Sequence, residues 1–193
     1  STQFEDYNDL LSLTFENLLA SCNDKEADVR VAADEGLNHL INELYGSDSS
    51  RIQVELFKEI KRNASPRRVK AAIVRFAELA YLIKPQKCRA YVMNLLPLLI
   101  AVCNREDEGI QESLINSMPK IVSVLGPFFS ESELHSFLSN LFEILVSKLS
   151  SSRRMAAECI TSLCHSCLKP GIFYSISLEK MLVTITHDAS PHA

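Results

Sequence analysis

The sequence predicts an all-α fold, an α-solenoid of stacked helical hairpins, and three observations predict it. Apolar residues recur at helical rather than strand spacing. The recurrence restarts at nearly equal intervals along the chain. Composition favours helix as well: among 193 residues only 5 are Gly and 7 Pro, with no Trp. With 47% hydrophobic residues the chain carries enough apolar surface for a packed core, which excludes a disordered polypeptide.

The template places apolar residues at p, p+3, p+4, p+7, p+8, p+11 and p+12, one stripe of an α-helix. It starts at Val29 and runs through Ala32, Ala33, Leu37, Leu40, Ile41 and Leu44. It restarts at Val69 (Ala72, Ile73, Phe76, Ala77, Ala80, Tyr81) and at Ile110 (Ser113, Leu114, Ser117, Met118, Ile121, Val122). A fourth copy runs from Ser152 through Met155, Ala156, Cys159, Ile160, Leu163 and Cys164. Successive starts lie 40, 41 and 42 residues apart.

Another amphipathic helix precedes each copy, so the unit is a helical hairpin. The pairs are 3–22 with 27–45, 50–63 with 66–83, 86–103 with 108–125, and 131–149 with 152–168, and a further helix at 172–186 opens a fifth unit. That makes nine helices and about four and a half repeats across residues 1–193. Ser50-x-x-Gln53 and Ser130-x-x-Glu133 read as capping boxes, and Ser65 before Pro66 as a cap followed by a first-turn proline. Gly46, Gly126-Pro127 and Pro170-Gly171 read as helix stops, and Pro97 and Pro119 as bends within helices. The predicted core includes Val29, Ala33, Leu37, Leu40, Val69, Ala72, Ile73, Phe76, Ala80, Ile121, Met155, Ala156 and Ile160. Second helices that open Val-Arg (29–30), Val-Lys (69–70) or Arg-Arg (153–154) resemble HEAT repeats, whose hairpins bury their faces only by stacking.

Charge is unevenly distributed. Net charge is −4, yet residues 1–57 carry twelve acids against three bases, a balance of −9. Residues 58–89 carry ten bases against two acids, a balance of +8 and half of all Lys and Arg. Lys58, Lys61, Arg62, Arg67, Lys70, Arg75, Lys84, Lys87 and Arg89 form the candidate interaction surface, with Arg68 the tenth base. Arg67, Lys70 and Val74 fall outside the apolar template and so point outward, on the second helices that line the concave side of such arrays. That ridge suits acidic peptides, nucleic-acid phosphates or anionic lipid. A competing use is internal neutralisation by Asp34, Glu35 and Glu55. Low pI, 5.8, and the lack of aromatics interleaved with the bases speak against nucleic acid.

Six cysteines, at 22, 88, 103, 159, 164 and 167, fall mostly inside apolar helical stretches and read as packing in a reducing compartment. Cys164-x-x-Cys167 has no second pair to complete a zinc site. The histidines at 39, 135, 165, 187 and 192 are scattered, and there is no phosphate-cradling glycine loop or nucleophile elbow. The expectation is no catalytic residue, no metal, no cofactor and no small-molecule substrate. The acidic opening Phe4, Glu5, Asp6, Tyr7 is unlike a signal peptide, and the apolar run Leu95 to Cys103 is too short to span a bilayer. A cytoplasmic, and also nuclear, location is expected.

The segment FKEIKRNASPRRVKAAIVRFAELAYLIKPQKCRAYVMNLLP, Phe57 to Pro97, resembles the amino-terminal HEAT region of the huntingtin family. ADVRVAADEGLNHLINEL (27–44) and SSSRRMAAECITSLC (150–164) carry the same likeness. The resemblance implies a piece of a very large all-helical scaffold with partners in vesicle transport, autophagy and transcription, and no catalytic activity. The sequence holds no glutamine tract or proline-rich segment, so nothing in it bears on glutamine expansion. A regulatory subunit of an enzyme complex is the further reading that the repeats allow. Phe4 and Phe15 are placed to pack on the second helix. The face Phe173, Ile176, Met181, Leu182 and Ile185 of the last helix has only His187 to Ala193 after it, so a docking helix from a longer solenoid is expected there.

Overall fold

The computed structural model describes residues 2–105 and 107–188; the side chains of Thr2, Phe4, Glu108, His187 and Asp188 also lie outside the description, so the expectations for Phe4 and for the tail after Thr186 fall beyond it. All regular structure among the described residues is helical. In chain order the helices are α1 (Thr2–Ser21), α2 (Ala27–Leu44), α3 (Ser49–Arg62), α4 (Pro66–Leu79), α5 (Pro85–Asn94), α6 (Leu96–Cys103), α7 (Glu108–Leu125), α8 (Glu131–Ile144), α9 (Ser150–Ser166) and α10 (Pro170–Asp188). Two 3-10 turns, Ala80–Leu82 and Gly126–Phe128, extend α4 and α7. The nine-helix plan holds, with its fifth helix divided into α5 and α6 at Leu95. Pro97 causes the division: it cannot donate to a helical carbonyl, so it sits in the first turn of a new helix. Pro119, by contrast, lies inside an unbroken α7.

The hairpins pair α1 with α2, α3 with α4, α5 and α6 with α7, and α8 with α9. Second helices stack on one another, α4 along α7 and α7 along α9, while α10 packs on α8 in the layer of first helices. α2 lies less closely against α4, which leaves a groove between them. The core runs between the layers, through Phe15, Leu37, Ile52, Phe76, Leu95, Ile110, Leu138 and Met155. Phe76 is completely buried and meets the ring of Tyr91 edge-on at a centroid distance of 5.2 Å.

Local chemistry explains most boundaries. Ser130 and Glu133 form a reciprocal capping box, and Asp107 accepts from the Ile110 N–H at 3.0 Å. Pro66, Pro85 and Pro170 each stand in a first helical turn. The arginine that follows the template start has a repeated task. Arg30 Nη1 donates to the carbonyls of Asp24 and Lys25, and Arg153 Nη1 to those of Ser147 and Lys148. Each ties the turn before its helix to the helix itself. Asn63 ends α3 in the left-handed conformation at φ 49°, which asparagine tolerates better than most residues.

Several expectations are corrected. Ser50 lies inside α3 and caps nothing, because Gln53 is buried and its amide donates to the Leu79 carbonyl at 2.9 Å. Ser65 occupies the N-cap position without a side-chain cap hydrogen bond. Pro170-Gly171 opens α10 rather than ending α9, as a first-turn proline does. Val29 is 41% exposed, and Ala32 and Tyr81 are exposed too; Leu40, Ile160 and Cys164 are only half-buried. For α2 the cause is packing: it contacts α1 through a narrow stripe, Ala33, Leu37 and Ile41, and no second helix covers its other flank among the described residues. On α10, Phe173 and Ile176 are buried, whereas Met181, Leu182 and Ile185 are exposed.

Candidate functional site

The bases of 58–89 divide into two sets. Five have carboxylate partners. Lys58 Nζ lies 3.0 Å from Glu55 Oε1. Arg62 Nη1 lies 3.0 Å from Glu16 Oε1 and 3.7 Å from Glu59 Oε2. Arg68 grips Glu59 with two bonds, Nε–Oε1 at 2.7 Å and Nη2–Oε2 at 2.9 Å. Arg75, itself buried, donates to Asp34 Oδ1 at 3.0 Å, to Asn38 Oδ1 at 3.1 Å and to the Ala71 carbonyl at 3.1 Å. Arg89 forks onto Glu133, with Nη2–Oε1 at 2.7 Å, and also donates to the Phe128 carbonyl.

The other five, Lys61, Arg67, Lys70, Lys84 and Lys87, are exposed and have no ion pair among the described residues. Internal neutralisation thus accounts for five of the bases, and the other five face outward. Asp34 and Glu55 neutralise as anticipated, whereas Glu35 is exposed and makes no ion pair among the described residues. Glu16, Glu59 and Glu133 are partners that sequence reasoning missed. The available signal was the repeat period: Arg62–Glu16, Arg75–Asp34 and Arg89–Glu133 are separated by 46, 41 and 44 residues, about one hairpin each.

Burial decides which pairs are structural. Glu59 and Glu55 are 3% and 6% exposed, so their cations supply the partners that water cannot. Glu133 is held well below the usual carboxylate range, at about 2, first by its hydrogen bond to Arg89 and further by the Ser130 N–H and hydroxyl.

Arg67 and Lys70 stand on the outer side of α4 and line the groove between α2 and α4. This groove has a volume of about 300 Å³, with Arg30, Arg67 and Lys70 on its walls, Ala71 and Val74 as its apolar part, and the Arg75–Asp34 pair and Cys22 beside them. Lys70 also borders the next groove, between α4 and α7, together with Glu78, Glu112 and Lys120. The exposed Lys84 and Lys87 lie away from both, at the turn into α5.

The cysteines are free thiols. Burial and the neighbouring Asp34 push Cys22 up to about 11, and burial pushes Cys103 up to about 12 and raises Cys88 and Cys159. Such thiols stay protonated and act as small apolar groups. Cys164 and Cys167 are half-buried; Cys167 Sγ accepts the Lys169 N–H at 3.3 Å and Cys164 Sγ lies 3.6 Å from the Tyr174 hydroxyl. His39, His135 and His165 are exposed, and among the described residues no cluster of His, Cys, Asp and Glu is arranged to hold a metal ion. No helix among them is long and apolar enough to cross a membrane.

Comparison with known proteins shows what the sequence is similar to. The family model described as huntingtin, N-terminal HEAT 1, matches residues 18–169. Huntingtin of Takifugu rubripes is 42% identical over 177 residues, 92% of this chain and 6% of that protein. The HD protein homolog of Dictyostelium discoideum is 32% identical over 121 residues, 62% of this chain and 4% of that protein. The chain thus spans a small fraction of the length of the curated relatives it matches.

Proposed function

The chain belongs to the huntingtin family through its N-terminal HEAT region, and from that premise we propose that it serves as a non-catalytic protein-binding surface within a much longer solenoid. The observation that carries this reading is the separation of cations within 58–89. Five are committed to carboxylates, while Lys61, Arg67, Lys70, Lys84 and Lys87 are exposed and have no ion pair among the described residues. Cations retained at a surface without internal partners attract acidic partners and speed their encounter.

Its partners on this reading are other proteins and further HEAT repeats of the same longer chain, with peripheral contact to anionic membrane as a secondary use. The cellular setting is that implied by the family, vesicle transport and autophagy in the cytoplasm and nucleus. The pairing of half the bases weakens the case for nucleic acid, because only free cations release counterions from phosphates.

The test is a capture experiment with the full-length protein, comparing wild type with a variant in which all five unpaired bases are changed to Glu. Loss of salt-sensitive protein partners, with the melting temperature retained, supports the proposal. An identical set of captured proteins overturns it. Steeply salt-dependent binding of nucleic acid by the wild type would replace it with a nucleic-acid function.

A further inference from the structure

The three grooves between successive second helices differ in charge. The α4–α7 groove balances Lys70 and Lys120 against Glu78 and Glu112, and the α7–α9 groove balances Arg154 against Glu112. The α2–α4 groove carries Arg30, Arg67 and Lys70, and its one acid, Asp34, is already paired with Arg75. Among the described residues it alone of the three has more bases than acids in its lining, even with Lys70 counted to the α4–α7 groove that it also borders.

Its cations are also prepared for a ligand. Arg30 is half-buried and fixed through Nη1 by two backbone carbonyls at 2.8 and 2.9 Å, while its Nε and Nη2 have no partner among the described residues. A guanidinium already held in place loses little conformational freedom on binding. Arg67 and Arg68 occupy the first turn of α4, where no acidic residue offsets the positive end of the helix dipole. Arg68 is spent on Glu59, so Arg67 and the helix end share an unneutralised field that an anion relieves.

We infer that the α2–α4 groove takes a short acidic segment of a partner protein, its carboxylates held by Arg30, Arg67 and Lys70 and an adjoining apolar side chain laid on Ala71 and Val74. This rests on the protein-binding reading above and names the place and the chemistry of the contact. The groove, of about 300 Å³, has room for a few side chains. Asp28 and Glu35 are exposed on the same helix as Arg30, so an extended polyanion that continued along α2 would meet like charge. A flat bilayer surface cannot reach into a cleft between two helices, and the apolar strip beside the cations has no use for a bare headgroup.

The experiment measures fluorescence anisotropy of a labelled peptide of alternating Glu and Leu against the purified 193-residue chain. The same peptide with Gln for Glu, and phosphatidylserine vesicles, serve as comparison probes. Two double variants remove equal charge: Arg67→Ala with Lys70→Ala in the groove, and Lys84→Ala with Lys87→Ala outside it. The acidic peptide should bind and the Gln peptide should not. The groove variant should weaken binding about tenfold or more, and the outside variant by less than about twofold. Raised salt should weaken binding in the wild type. No binding by the wild type, or equal weakening by both variants, overturns the inference. Loss with the outside variant alone rejects the groove while leaving a basic protein-binding surface intact. Vesicle binding that exceeds peptide binding and is lost with the groove variant reassigns the site to a membrane.

Discussion

Arg75 on α4 spans the groove to Asp34 on α2, with Nη2 3.0 Å from Oδ1, and joins two residues 41 positions apart in sequence. It is a tie between neighbouring hairpins where their second helices pack least closely. Arg75 also donates to Asn38 and to two backbone carbonyls, so removing it strands several acceptors at once. Asp34 is 53% exposed, and solvent tempers its share. Arg75→Ala should therefore destabilise the chain by about 1–3 kcal/mol in urea unfolding. Arg75→Lys should recover little, since an ammonium cannot reproduce the fork. Asp34→Asn should cost much less than either, because Arg75 keeps its other acceptors.

A second tie lies in the core. Gln111 is completely buried; its amide donates to the Cys103 and Arg105 carbonyls, and its oxygen accepts from the Ser152 hydroxyl at 2.9 Å. The network joins the end of α6, α7 and the start of α9. Gln111→Ala leaves a cavity and unpaired polar groups and should cost about 2–4 kcal/mol, against about 1 kcal/mol for Ser152→Ala. The double variant should cost less than the two singles added together, a coupling that urea-unfolding midpoints can measure.

These ties mark where the sequence could be read and where it could not. Helical periodicity located the hairpins because Val69, Phe76, Met118 and Met155 sit on stripes whose burial depends on spacing alone. Periodicity could not tell that the stripe of α2 would be narrowed by its neighbours, which is why Val29 lies exposed. Nor could it locate polar partners. Gln53 looked like a cap because its spacing from Ser50 fits one, but helix packing turned its amide toward Leu79 instead. In the basic segment, composition identified the charge. Distinguishing Arg67 from Arg68 required knowing which side of α4 faces the buried Glu59.

Glu133 gives the pH dependence. Its pKa lies at about 2 in the folded chain, below its unfolded value of about 4.3. A depressed carboxylate pKa contributes stability that is fully present above the unfolded value and is lost as pH falls through the folded one. Glu133→Gln keeps a side chain suited to the capping box and removes the charge. The melting temperature of the wild type should exceed that of Glu133→Gln near neutral pH, and the difference should shrink as pH falls from about 4 to about 2. A difference that stays constant across that window would show that Arg89 and Glu133 do not interact as described.

Gly126 is required by contact rather than by backbone angle, since its φ is −48°. A Cβ there would lie 2.0 Å from Ser166 Oγ and 2.8 Å from Ser166 Cβ, at the end of α9. Gly126→Ala should cost about 1–3 kcal/mol through overpacking. Adding Ser166→Gly removes both clashing atoms and should restore part of the loss. Thermal unfolding of the two variants checks this.

Two adjacent arginines give the sharpest contrast. Arg67 and Arg68 follow each other on α4, carry the same charge and differ only in the direction they face. Arg68 is 15% exposed in its side chain and holds Glu59, which is 3% exposed and has otherwise only Arg62 at 3.7 Å. Arg68→Ala leaves a buried carboxylate nearly alone, and should destabilise the chain by about 2–4 kcal/mol. Part of that loss should return when Glu59→Gln is added, because the neutral amide has no charge to strand. Arg67→Glu combined with Lys70→Glu should leave the melting temperature unchanged, since neither has an ion pair among the described residues and the added acids relieve the positive end of α4. A sharp fall in melting temperature for that double variant would mean that these two cations are structural, and would remove them from the binding surface.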